Sequence, residues 1–209
     1  MNDEHFVANN NENAENSMFQ KLMRVSSGID ALNEFVGGWV KWLILGSVLV
    51  SAGNATSRYT IGMASNAWLE LQWYFFASVY MLAAGYTLKR NEHVRIDLVS
   101  SRLTARTRNY IDAFGMAIFI MPVTLYICLE SIPNFWESVL NQEVSQNAGG
   151  LIRWPLRMLI PVGFALLFLQ AFSELLKRIA FLRGEGDDVL AHGGHAEVDM
   201  GDLDVEERK

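Results

Sequence analysis

Cys128 is the chain's one cysteine. A lone thiol excludes a disulfide framework and a thiolate metal centre, and inside an apolar block it reads as a buried, inert side chain. Charge is scarce as well. Charged residues make up 19% of the chain, below the roughly one quarter typical of a soluble domain. Histidine is missing from every apolar block: His5, His93, His192 and His195 all fall outside them. That argues against a haem held inside a membrane. His192 and His195 stand among acids and read as part of a solvated tail rather than a metal site. There is no Gly-rich phosphate loop, nucleophile elbow or metalloprotease motif, so no enzyme, no cofactor and no metal is expected. The first 20 residues carry acids and asparagines but no lysine or arginine. They lack the basic and apolar regions of a cleaved signal peptide, and the first apolar block is expected to act as the targeting signal.

What is present is hydrophobicity in long blocks, 51% of the chain. The expected fold is an all-α integral membrane protein with four transmembrane helices and a cytoplasmic amphipathic segment between helices 2 and 3. The spans are expected at about 35–53, 67–88, 111–130 and 156–176, each near the ~20 residues that cross ~30 Å of hydrocarbon. They lie in a membrane domain over 18–183, between a polar stretch at 1–17 and an acidic tail at 184–209, both expected to be disordered. The first span follows an amphipathic lead-in at helical spacing (Leu22, Val25, Ile29, Leu32) and holds one charge, Lys41. That lysine reads as snorkelling to the interface rather than lining an ion path. Ser47 and Ser51 form a small-xxx-small pair suited to close helix approach. The second span opens with Glu70 and Gln72 among Trp68, Trp73 and Tyr74, an interfacial aromatic belt. Asp112 stands at the entry of the third span, and Pro122 inside it is expected to kink the helix. Its continuation over 131–142 either extends the helix or lies along the surface.

Basic residues orient the spans. Lys21 and Arg24 flank the first, Lys89, Arg90, Arg95, Arg102, Arg106 and Arg108 follow the second, and Lys177, Arg178 and Arg183 close the fourth. The other side has Arg58, Arg153 and Arg157. The positive-inside rule then places both termini and the 89–110 loop in the cytoplasm. In that loop Ile96, Val99, Leu103 and Tyr110 recur at near-helical spacing beside Arg95, Arg102 and Arg106. Two readings stand: a helix lying in the headgroup region, and a solvated interfacial face. The same basic loop is no nucleic-acid site, since its length and flanks are those of a positive-inside loop. The orientation sets Lys41 and Glu70 at depths more than ~10 Å apart, so no direct salt bridge between them is expected. Four spans with no clear internal repeat and almost no charge at mid-depth offer little for a transport path of their own. An accessory or scaffold subunit fits better.

Several motifs in order resemble one family. Arg58-Tyr59 follows the first span, and Trp68-Leu69-Glu70-Leu71-Gln72-Trp73 opens the second. Tyr86-Thr87-Leu88-Lys89-Arg90 closes it, and Glu92-His93-Val94-Arg95-Ile96-Asp97 follows. Arg153-Trp154-Pro155 then leads into Ile160-Pro161-Val162-Gly163-Phe164. Over about 35–180 the chain resembles the DctQ-type small permease subunit of tripartite ATP-independent periplasmic (TRAP) transporters. The resemblance implies a scaffold for a large permease subunit in the bacterial inner membrane. A periplasmic substrate-binding protein would deliver an organic acid for sodium-coupled uptake, with membrane lipids as the other contact. By the same resemblance, contact with the large subunit or with headgroups is expected at Glu70 and Trp73, at His93, Arg95 and Asp97, and at Arg153, Trp154 and Pro155. Arg58 and Arg153 are weaker candidates for meeting the binding protein. The competing reading is a membrane anchor for a different complex, redox or signalling.

Overall fold

The computed structural model describes residues 2–62, 65–90, 103–147 and 149–184, with side chains from Phe19 onward. Helix α1 is Asn2–Thr60. No proline or glycine interrupts the chain before Gly28. The polar stretch at 1–17, the amphipathic lead-in and the first apolar block therefore follow one another in a single helix. Gly62, at φ +71°, takes the chain out of it.

Helix α2 is Asn66–Lys89. Helix α3 is Ala105–Gly115, started by Thr104, whose hydroxyl accepts the Thr107 N–H at 3.3 Å. A π-helical turn, Met116–Ile120, joins α3 to α4, Met121–Leu140. The turn has a local cause. Pro122 has no N–H to give to Ile118, four residues back, and its ring would press on that carbonyl. Widening the preceding turn relieves this, and the Met121 N–H reaches back five residues to the Met116 carbonyl. The predicted kink is thus a π turn, and the segment at 131–142 is a helix as far as Leu140. Helix α5, Trp154–Arg183, opens with Pro155 in its first turn and closes on Gly184 at φ +82°.

Among the described residues, three stretches are long and apolar enough to cross a membrane: Phe19–Thr60, Ala105–Leu140 and Trp154–Arg183. The sequence reading counts α2 as a fourth. At 24 residues, about 36 Å, it has the length, and its two tryptophans, three tyrosines, Glu70 and Gln72 interrupt its run of aliphatic side chains.

Helix α5 is the hub. It packs against α1, α2 and the α3–π–α4 rod, and α1 also lies along α2. Gly85 of α2, Gly37 of α1 and Gly163 of α5 each allow a close approach between helices. A Cβ on Gly85 would collide with the Asn33 amide of α1, and one on Gly163 would sit 2.9 Å from Met81. Between α2 and the α3–π–α4 rod an apolar cleft of about 760 Å³ remains, with Phe164 and Leu167 of α5 in its lining.

The interior inverts the usual pattern. Ser26, Asn33, Ser47, Gln170, Ser173, Glu174 and Arg178 are buried, while Phe35, Trp39, Trp42, Val48, Phe119 and Tyr126 are exposed. In water that distribution would be strongly unfavourable. In hydrocarbon it is the stable one, because polar groups must find partners inside the protein.

Candidate interaction sites: a polar seam and two charged ends

Ser26 and Asn33 of α1 join Gln170, Ser173, Glu174 and Arg178 of α5 in one connected polar seam. Asp30 is its centre. Its Oδ1 accepts from Gln170 Nε2 and from Ser173 Oγ, both at 2.9 Å, and its Oδ2 pairs with Lys177 Nζ at 2.6 Å. Asn33 donates to Gln170 Oε1 at 2.9 Å, and the Ser26 and Ser173 hydroxyls are 2.7 Å apart. Towards the end of α5, Glu174 accepts from Lys177 and from Arg178, each at 2.8 Å. Glu174 and Arg178 are both fully buried. Arg178 also faces Asp112 of α3 at 3.7 Å, which extends the seam to a third helix. Residues 170, 173, 174, 177 and 178 recur at three- and four-residue steps, so one face of α5 carries the whole set.

At the same end of the bundle Glu34 of α1 bridges the close of α2. It takes Lys89 Nζ at 2.6 Å and Arg90 Nη2 at 2.8 Å, and the Arg90 guanidinium lies 5.3 Å from the centre of the Tyr86 ring. The junction at Leu88-Lys89-Arg90 is therefore pinned to α1. Glu34 is half-exposed, so solvent screens both pairs and each contributes little.

The opposite end is organised by Glu70. Its carboxylate accepts from Ser145 Oγ, from Asn147 Nδ2 at 2.6 Å and from the Leu151 N–H at 2.8 Å. One side chain thus gathers the loop between α4 and α5. That loop is a narrow hairpin: Ser145 N–H donates to the Leu151 carbonyl, and Arg153 N–H to the Glu143 carbonyl. The Tyr74 hydroxyl reaches the Ile152 carbonyl at 3.2 Å. Glu143 pairs with Arg153 at 3.3 Å and Arg157 at 2.7 Å. Burial works to raise the Glu143 pKa, but the nearby Ser138 hydroxyl and the two guanidiniums outweigh it and hold the carboxyl below its ordinary value.

The structure brings together Glu70, Arg153, Trp154 and Pro155 of the expected residues. Arg153 caps α5, and Trp154 and Pro155 form its half-buried entry. Arg58 is exposed in the last turn of α1, and Trp73 points outward from α2. His93, Arg95 and Asp97, with most of the amphipathic segment, lie outside the described residues. Lys41 is exposed on the outer side of α1 with its ammonium 6.0 Å from the Trp42 ring, far from the partners of Glu70. Cys128 is half-buried, its thiol donating to the Pro161 carbonyl at 3.4 Å.

Sequence reasoning missed the seam. Lys177 and Arg178 read as the basic flank of the fourth span, and Asp30, Glu34 and Glu174 were not singled out. The available signal was spacing: Asp30 and Glu34 fall one turn apart, as do Gln170, Glu174 and Arg178.

Among the described residues no group of three or more His, Cys, Asp or Glu side chains is placed to hold a metal ion. Asp30, Gln170, Ser173, Glu174 and Lys177 are hydrogen-bonded or paired with one another across α1 and α5, an arrangement that ties helices together. No curated protein and no solved structure matches the chain. A family model does, over residues 30–181, from the central aspartate of the seam to the last turns of α5. The chain belongs to the family described as tripartite ATP-independent periplasmic transporters, DctQ component.

Proposed function

We propose that this chain is the small membrane subunit that braces the large permease of a TRAP transporter. The carrying observation is the family match over residues 30–181. The seam supports the same reading, since its polar groups are spent on holding α1, α3 and α5 together. In this reading α2 is the fourth span, both termini face the cytoplasm, and the bundle sits in the bacterial inner membrane. The large subunit takes up a sodium-coupled organic acid from a periplasmic binding protein. The apolar outer faces of α1 and α4 and the cleft beside α2 give the brace its contact area with lipid and permease.

Glu70, Arg153, Trp154 and Pro155 shape the periplasmic face on this account, with Arg58 and Trp73 at its rim. His93, Arg95 and Asp97 act at the cytoplasmic junction. The test is co-purification of the large permease from membranes carrying all subunits. Native chain is expected to retain it. Charge reversal at Arg95 is expected to weaken retention while membrane insertion persists. Unchanged assembly and uptake in that variant would remove the junction from the functional surface.

A further inference from the structure

At the basic end of the bundle, Arg106 in the first turn of α3 and Arg183 in the last turn of α5 stand beside one recess of about 320 Å³. Phe181, Leu182 and Gly184 also line it, so among the described residues its charged lining is two guanidiniums with no acid. Arg106 Nη2 donates to the Leu182 carbonyl at 3.4 Å. That contact offsets part of the negative C-terminal end of α5 and holds the guanidinium beside the recess. Both arginines are exposed, while Phe181 and Leu182 are half-buried. The start of α3 adds the positive end of a helix dipole on the same side. Two forked donors above an apolar floor, at the end of two membrane helices, match a phosphodiester joined to hydrocarbon.

We propose that this recess binds the phosphate of an anionic phospholipid, with Arg106 and Arg183 on the phosphate oxygens and Phe181 and Leu182 against the first carbons of the lipid. It rests on the membrane location of the chain and not on its role beside a permease, so failure of either leaves the other standing.

The test uses the full chain in detergent, titrated with phosphatidylglycerol and with phosphatidylcholine, and read by native mass spectrometry. Native chain is expected to retain phosphatidylglycerol preferentially. The R106Q/R183Q variant is expected to lose about twentyfold in that affinity, with an unchanged melting temperature because both side chains are exposed. Inorganic phosphate, lacking the apolar part, is expected not to displace the lipid. The acidic tail begins directly after Gly184. Truncation there is expected to leave retention equal or higher. Equal retention by R106Q/R183Q, displacement by inorganic phosphate, or loss of lipid on truncation would each overturn the assignment.

Discussion

Arg178 is the residue on which the interior is most exacting. It is fully buried, it pairs with an equally buried Glu174, and its Nε finds no partner among the described residues. Removing Arg178 leaves buried Glu174 with Lys177 and Gln170, and breaking a buried pair costs about 3–5 kcal/mol. Arg178→Met is therefore expected to lower the melting temperature in detergent sharply, and the double change Glu174→Gln with Arg178→Met to recover much of the loss. A double variant as unstable as the sum of its parts would show that the two do not act together.

Glu143 gives a pH signature at the opposite end. Its pKa lies below the ordinary 4.5, so the folded loop binds its proton less readily than the unfolded chain does. Its contribution is then complete above about pH 4.5 and is lost as pH falls through the lowered value. Fluorescence of Trp154, next to Arg153, is expected to hold steady down to that range and change below it. Glu143→Gln is expected to reduce the transition, leaving the part due to protonation of Glu70, whose carboxylate holds the same loop through Ser145, Asn147 and Leu151. An unaltered transition in that variant would place its origin elsewhere.

At the scale of the elements, the helices were legible and their partners were not. Long apolar blocks ending at Lys89-Arg90 and at Arg183 mark where helices stop, and Pro122 marks where α4 is disturbed. The sequence also pointed to Glu70 as a boundary residue. It did not point to the loop at 143–151 as what Glu70 holds, because that contact spans more than seventy residues. The seam was hidden for the same reason: Asp30 meets Lys177 only after α1 and α5 dock. Helix count is where composition and structure diverge, since aromatic and polar residues interrupt the aliphatic run of α2 without shortening it. Docking itself depends on the small residues. Gly85→Ala is expected to force α1 from α2 and cost about 1–3 kcal/mol, read as a lower melting temperature. Gly28→Ala, in open space, is expected to be silent or slightly stabilising. Equal behaviour of the two would contradict close packing at Gly85.

As a whole molecule the chain is tied at both ends. At the basic end Glu34 clasps α2 and the seam joins α1, α3 and α5, and at the other end Glu70 gathers the α4–α5 loop. A body fastened in this way suits a fixed support better than a moving carrier. The central claim is that such a support is required for transport by its partner. Its most direct measurement is sodium-driven uptake in proteoliposomes. These would contain the large permease and the binding protein, with or without this chain, and use the carboxylate that the binding protein retains. The account predicts uptake with all three components and its loss without this chain. Equal sodium-driven uptake by the permease and binding protein alone would contradict it.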